Sequence, residues 1–188
     1  MLPYDRVARL DQCLAKARET ISPHYDDVFR EVQHRISACG SAGKADIAIL
    51  CFWKRLRADT PWVPRLLDLP DSRVRDVTGE AIAILNTGND HAAAGQAREM
   101  LRSLPGFAQG TAVASALLTA AAPTRLAIYD KRAHTGLHKV ELELTDKAPF
   151  FYSTYLALID QCRAEAADIG HRWAARDVDL ALFVLGGK

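Results

Sequence analysis

The chain has 188 residues, of which 49% are hydrophobic and 25% charged, and its net charge is +1. This is the composition of an ordinary globular protein with one substantial core, and it excludes a global basic field, so any nucleic-acid contact has to come from a local patch. No stretch reaches the roughly 18 to 20 apolar residues of a membrane span and residues 1–14 have no apolar run, so we expect no signal peptide, no membrane contact and a cytoplasmic location, nucleoid-associated if bacterial.

Helical periodicity dominates the chain, because apolar residues recur every three or four positions over most of its length. Breaks at proline and glycine set the expected ends of the helices. A turn or short helix is expected at residues 60–64. Six helices are predicted at residues 7–17, about 44–57, 91–104, about 109–122, 149–169 and 175–185. Two more are predicted by their starts: one begins at Ser22-Pro23 and passes Ile36, and one begins at Pro70-Asp71-Ser72.

Two segments look extended rather than helical. The sequence RLAIYD at 125–130 is short and apolar, and KVELELT at 139–145 alternates apolar residues with glutamates. The two could pair as one short β ribbon. With no internal repeat and no low-complexity linker, the chain is expected to form one all-α, mostly helical domain over residues 1–188.

Metal and cofactor sites are not expected. The four cysteines are scattered without a CxxC pair, which favours reduced, buried thiols over a zinc or iron–sulfur site. Asp130, His134 and His138 follow one another at helical spacing and could form a metal-binding face. Gly136 should end that helix, so we expect no metal and no cofactor.

The stretch SLPGFAQGTAVASALL, residues 103–118, joins two predicted helices through a tight turn. Gly106 permits a backbone conformation that other residues resist. The first amides of the next helix, expected near Ala108 to Gly110, have no partner within the helix and could bind a phosphate, with the Thr111 hydroxyl adding a hydrogen bond. The alternative is a plain connection between helices.

The block from Leu104 to Ala133 resembles the helix-hairpin-helix signature of DNA glycosylases related to 8-oxoguanine DNA glycosylase and endonuclease III. It contains an LPG turn, a helix of small and apolar residues, and the apolar segment Leu126 to Tyr129, which ends in Asp130. A looser similarity to uncharacterised bacterial members lies in FWKRLR at 52–57 and RDVDLALFVLGGK at 176–188. The resemblance implies two lobes, 46–125 with the hairpin and 1–45 plus 126–188, and double-stranded DNA with a flipped base as the partner.

The resemblance implies that Asp130 is the catalytic carboxylate, which would stabilise positive charge at C1′ and orient a water. The residues alone favour the alternative that Asp130 is the N-cap of the helix that follows it. Family members with lyase activity carry a lysine at the start of the helix after the hairpin, and this chain has none between Lys54 and Lys131. The resemblance therefore implies a monofunctional enzyme. A departure is Phe107-Ala108, where the family usually has valine or isoleucine and glycine.

The remaining candidates are DNA contacts and base-stacking aromatics. Cations beside the expected site are candidates for phosphate contacts, and each could equally belong to a solvated face. Aromatic residues could stack on a flipped base, but for each of them the residue type favours a place in the core, because aromatic side chains are mostly buried. Two other hypotheses stay open: a catalytically inactive helix-hairpin-helix protein that binds DNA or a partner, and a helical protein unrelated to nucleic acid, whose oligomeric state the sequence leaves open. The candidate DNA contacts are Gly106, Ala108, Gly110, Thr111, Lys131, Arg132 and Lys54, and the candidate base pocket is Trp53, Tyr129, Tyr152, Tyr155 and Trp173.

Overall fold

The computed structural model describes residues 1–57, 59–88, 91–108, 111–145 and 150–187. Within these ranges the chain is all-helical and contains no β-strand. The helices are α1 (Pro3–Thr20), α2 (Asp27–Cys39), α3 (Lys44–Trp53), α4 (Trp62–Leu67), α5 (Asp71–Thr87), α6 (His91–Leu101), α7 (Thr111–Ala121), α8 (Lys131–Lys139), α9 (Phe151–Asp168) and α10 (Ala175–Gly186).

The chain divides into two compact units, which we call the terminal unit (Met1–Pro23 and Pro123–Lys188) and the central unit (His24–Ala122). The predicted all-α class is confirmed. The predicted lobes assigned residues 24–45 with the chain termini, whereas here they belong to the same unit as the hairpin.

In the central unit, α7 is the buried helix around which α2, α3, α5 and α6 pack. Residues 113–120 of α7 are all at most 2% exposed. A helix that is apolar and small on every side, as TAVASALLTAA is, is stable only when other helices surround it. The small side chains let the neighbouring helices approach α7 closely. This packing holds α7, which is the helix that follows the hairpin turn, in place.

In the terminal unit, α10 packs against α1, α8 and α9. The predicted apolar face of α1 is confirmed, since Val7, Leu10, Leu14 and Ala17 are at most 1% exposed. The buried guanidinium of Arg6 joins the elements here. It donates to both Glu165 carboxylate oxygens, at 2.5 and 2.7 Å, and to the Val140 carbonyl oxygen at 3.1 Å.

The prediction that Gly136 ends a helix is wrong, because α8 runs through it. A Cβ built on Gly136 would overlap the Leu182 carbonyl oxygen and lie 2.9 Å from the Leu182 Cα. A Cβ on Gly186 would likewise overlap the Arg132 carbonyl oxygen. The two glycines therefore allow the backbones of α8 and α10 to cross in direct contact, and this close packing outweighs the low helix propensity of glycine.

The predicted β ribbon is also wrong. Residues 125–130 are irregular, and Lys139 still belongs to α8. Glu141 follows in a left-handed conformation with φ 58°, and the Leu142 amide donates to the Leu137 carbonyl oxygen at 3.0 Å, which closes the helix rather than opening a strand. Burial of Val140, Leu142 and Leu144 does alternate, but in an irregular segment.

Several predicted boundaries shift. Residues 23–26 form a turn and α2 begins only at Asp27, while α3 ends at Trp53 rather than Arg57, and α6 ends at Leu101. The expectation of buried thiols holds for Cys162, but Cys39 is exposed.

Candidate nucleic-acid interface

Residues 102–108 form a turn after α6 in the central unit, and α6 and α7 pack against each other. Gly106 has φ +89°, in the region that favours glycine, and the Phe107 amide donates to the Leu104 carbonyl oxygen at 3.1 Å. Leu104 and Phe107 are 2% and 0% exposed. Leu104 and Phe107 are therefore two buried anchors that hold the turn.

Trp62 of α4 covers one face of the turn. A Cβ on Gly106 would overlap the Trp62 indole, whose Cε2 would lie 3.0 Å away. Glycine is therefore needed here for packing as well as for its backbone conformation, and the Trp62 indole occupies the face of Gly106 on which a Cβ would project. Nothing in the local sequence indicated this contact.

The rest of the predicted phosphate site is only partly described. Ala108 is exposed at the end of the turn. Gln109 and Gly110 lie outside the described residues, and Thr111 is described only as the first residue of α7. Phosphate binding by this turn stays a prediction.

Asp130, in the terminal unit, is the N-cap of α8. Its backbone is extended, with φ −148° and ψ 174°, and its Oδ1 accepts a hydrogen bond from the Ala133 amide at 2.9 Å. The side chain is half-buried. The capping role considered from the sequence is confirmed, because an N-cap carboxylate satisfies an amide that has no partner within the helix. Capping fixes the direction of the carboxylate, and the catalytic role stays a prediction.

The segment that leads to Asp130 is held by side chains from α9 and α10. The Tyr152 hydroxyl donates to the Ala127 carbonyl oxygen at 2.9 Å, and the Tyr155 hydroxyl donates to the Ile128 carbonyl oxygen at 3.1 Å. The Ile128 amide donates to Asp179 Oδ2 at 2.7 Å. A buried backbone without a strand partner needs such bonds. We call these three hydrogen bonds the clamp. They take the place of the strand pairing expected in the predicted ribbon, and they fix the chain directly before Asp130.

Asp179 completes this clamp from a buried position on α10. Only 2% of it is exposed, and its Oδ1 accepts from Arg176 Nη1 at 2.5 Å. Burial is the main cause that raises the pKa of Tyr155 well above its usual value. Electrostatic interactions with Asp179, then with Tyr152 and Asp130, raise it further. The Tyr155 hydroxyl therefore keeps its proton and remains a donor. Sequence analysis missed Asp179 because its partner lies far away in the sequence.

The predicted base-pocket aromatics lie in the cores of their units. Trp53, in the central unit, is 3% exposed, stacks on Phe29 with ring centroids 4.4 Å apart, and donates from Nε1 to Asp26 at 3.1 Å. Tyr129 in the terminal unit is 4% exposed, with the rings of Phe151 and Tyr155 edge-on at 5.1 and 5.2 Å. In these positions the rings serve as packing.

Trp173 differs from the other aromatics because it lines a groove in the terminal unit. The groove has a volume of about 500 Å³ and lies between α9 and residues 171–174. Arg163 lines it and donates to the Trp173 carbonyl oxygen at 3.1 Å and to Asp160 at 2.7 Å. Base stacking by any of the five aromatics stays a prediction.

The predicted phosphate contacts have different surroundings. Lys131 is exposed directly after Asp130. The Arg132 guanidinium lies 4.8 Å from the Phe183 ring centroid, in cation–π contact. Lys54, in the central unit, is the C-cap of α3, with its ammonium 5.7 Å from the Trp53 ring. Lys131 and Arg132 therefore lie next to Asp130 in the terminal unit, whereas Lys54 lies in the central unit, which also contains the hairpin turn.

The histidine face of α8 is linked by a chain of polar contacts. His134 Nε2 lies 2.9 Å from the Leu144 carbonyl oxygen and 3.0 Å from His138 Nε2. His138 Nδ1 lies 2.9 Å from a Glu143 carboxylate oxygen. Among the described residues no three His, Cys, Asp or Glu side chains are placed to hold a metal ion.

Comparison of the chain with protein-family models gives no match, and comparisons with curated proteins and with solved structures give none either. In the part of the chain that the structure describes, no helix has the length and apolar character needed to cross a membrane.

Proposed function

We propose that the protein is a monofunctional DNA glycosylase, which excises a damaged or modified base by attack of water at C1′ after base flipping. The observation that supports this best is the placement of Asp130. Its carboxylate is half-buried, oriented by the Ala133 amide, and preceded by a clamped segment. A catalytic carboxylate needs such fixed orientation together with access to its substrate.

The proposed chemistry follows from the charge that develops on the sugar. A base stacked within duplex DNA is inaccessible, so the nucleotide has to rotate into the protein. Cleavage of the N-glycosidic bond passes through an oxocarbenium-like state, in which C1′ and the ring oxygen carry positive charge. The Asp130 carboxylate stabilises this charge and orients a water, whose oxygen bonds to C1′ while the base leaves.

The absence of a lysine from Arg55 to Asp130 supports the monofunctional form of the proposal. An amine that attacks C1′ forms a Schiff base and leads to strand cleavage. Without an amine at that position, the product is an intact strand with an abasic site.

The second candidate is a helix-hairpin-helix protein that binds DNA or a partner without catalysis. Burial of Trp53, Tyr152 and Tyr155, whose polar groups are already hydrogen-bonded, favours it. Those rings stack on a base only if the core opens around them.

The test is an excision assay with duplex oligonucleotides that each carry one modified base. Under the proposal at least one base is released, strand breaks appear only after alkaline treatment, and borohydride traps no covalent adduct. Release of none of the bases by a preparation that binds the same duplexes supports the second candidate. A borohydride-trapped adduct contradicts attack by water and directs attention to Lys131.

A further inference from the structure

His134 and His138 lie one turn apart on α8, with their ring centroids 4.6 Å apart. The sequence-based expectation of no metal at this face rests on Gly136 ending the helix between the two histidines. Because α8 runs through Gly136, which is in close contact with α10, both histidines belong to one rigid stretch of helix. Side chains four positions apart on a helix are neighbours, so the two rings can act together on one ligand.

Three atoms with lone pairs meet at this pair. His134 Nε2 lies 3.0 Å from His138 Nε2 and 2.9 Å from the Leu144 carbonyl oxygen. A neutral imidazole has one N–H donor and one acceptor nitrogen, so a proton on His134 Nε2 can point fully at only one of these two acceptors. A metal ion in the place of that proton accepts an electron pair from all three atoms, and His134 then carries its proton on Nδ1.

The spacing of the two nitrogens fits a single ion. Bonds between zinc and imidazole nitrogen are about 2.0–2.1 Å long. At that bond length, two nitrogens 3.0 Å apart subtend about 95° at the ion, close to the angle between neighbouring ligands in square-planar or octahedral coordination. Imidazole suits zinc, copper and nickel, whereas magnesium and calcium prefer oxygen ligands, so this donor set favours a transition metal.

The two rings are supported in orientations that suit metal binding. A Glu143 carboxylate oxygen lies 2.9 Å from His138 Nδ1, which places a proton on Nδ1 and leaves the Nε2 lone pair for a ligand. Metal-binding histidines almost always donate their other N–H in this way. The His134 ring lies against the buried ring of Tyr129, with centroids 6.0 Å apart. The His138 side chain is 43% exposed, so an ion can reach the pair from solvent.

We propose that His134 Nε2, His138 Nε2 and the Leu144 carbonyl oxygen bind one divalent transition-metal ion, with water in the remaining coordination positions. Two ligands belong to α8 and the third to the irregular segment after it, so the ion links that segment to the helix. The proposal is independent of DNA binding, and no step of base excision passes through the ion.

The test is calorimetric titration of the full chain with NiCl₂. Every protein in the series carries Cys39→Ser, because the exposed Cys39 thiol could also bind the ion. This background protein is expected to bind one Ni²⁺, and MgCl₂ should give no heat of binding. His134→Ala and His138→Ala should each weaken Ni²⁺ binding roughly tenfold or more, because two ligands on one rigid helix bind jointly. Glu143→Gln should weaken it about tenfold, the low end for such a partner, since its side chain is 80% exposed.

His24→Ala is the matched control. His24 is also an exposed histidine beside a carboxylate, with its Nδ1 3.1 Å from Asp27, but it lies in the central unit. Its replacement should leave the affinity for Ni²⁺ unchanged.

Thermal unfolding gives a second readout. With free Ni²⁺ at about 100 times its dissociation constant, the melting temperature of the background protein should rise by about 5–10 °C. The same ion concentration should shift His134→Ala and His138→Ala much less. Melting without metal shows whether each variant folds, and the exposed His138 decides the matter if replacement of half-buried His134 disrupts folding.

Two results overturn the proposal. One is the lack of Ni²⁺ binding by the background protein up to about 1 mM ion, the weak end of specific affinities. The other is an affinity that His138→Ala leaves unchanged, which assigns the bound ion to another place. Either result leaves His134 and His138 as a chain of polar contacts, and neither affects the proposed function, because base excision is measured without added metal.

Discussion

Replacing Gly136 by alanine tests the close crossing of α8 and α10. Alanine normally stabilises a helix interior by about 0.5–1 kcal/mol relative to glycine. At Gly136, however, the added methyl group would overlap the Leu182 carbonyl oxygen and lie 2.9 Å from its Cα, whereas ordinary contacts lie at 3.4–4 Å. These atoms are backbone, so relief requires movement of one helix against the other.

The expected magnitude combines two opposing effects. Overpacking of a tight interior typically costs about 1–3 kcal/mol. The cost at Gly136 should lie at the upper end of this range, because the contacted backbone atoms cannot rotate away as a side chain would. After the gain in helix propensity, Gly136→Ala should be destabilised by about 2 kcal/mol. Since 1 kcal/mol corresponds to about 2–4 °C for a chain of this size, its melting temperature should fall by about 4–8 °C.

Gly79→Ala is the matched control, since Gly79 also lies within a helix. There a Cβ would meet the Gly40 carbonyl oxygen and Ser41 Cβ at 3.6 Å, an ordinary contact. This variant should gain about 0.5–1 kcal/mol. Scanning calorimetry of both variants, which follows the unfolding of both units, makes the comparison. A Gly136→Ala protein as stable as the parent would refute the close crossing and the explanation of why α8 continues through this glycine.

Two further predictions concern titratable groups. At neutral pH iodoacetamide should label exposed Cys39 first and leave Cys162 unmodified in the folded protein, because burial raises the Cys162 pKa to about 12; equal labelling rates would contradict this. The Lys44 amide and the Arg75 guanidinium lower the pKa of Asp71, so its stabilising contribution is present above the unfolded pKa of about 3.9 and is lost as pH falls through the lower folded value. Lowering the pH should therefore reduce the free energy of unfolding of Asp71→Asn less than that of the parent. Identical curves of stability against pH for the two proteins would exclude this contribution.

Local sequence patterns predict those features of the fold that local physics determines. The periodicity of α1, the interruption at Pro105-Gly106 and the capping position of Asp130 depend on neighbouring residues, and all are present in the structure. The wrong predictions depend on contacts distant in sequence. Gly136 stays within a helix because of Leu182, and the segment before Asp130 bonds to side chains rather than to a strand.

The candidate site shows the same division. Sequence indicates which aromatic residues exist, but their burial depends on tertiary packing, and Tyr152 and Tyr155 use their hydroxyls within the core. The exposure of Phe52, by contrast, depends on local spacing along α3. The inward spacing of Ile47 and Leu50 places Phe52 on the opposite face of α3, as the structure has it.

The single-turnover excision rate of Asp130→Asn tests the central claim most directly. Asparagine and aspartate are about equally good N-caps, so the variant should retain α8 and its melting temperature while losing only the carboxylate charge. Asp177→Asn is the control, because Asp177 caps the start of α10 by accepting from the Ala174 amide at 2.9 Å and has no proposed catalytic role. On a duplex from which the parent releases a base, Asp130→Asn should be slower by a factor of roughly a hundred or more, with unchanged or tighter DNA binding, and Asp177→Asn should match the parent. An Asp130→Asn protein that excises the base at the parental rate would contradict the account and leave Asp130 as a helix cap alone.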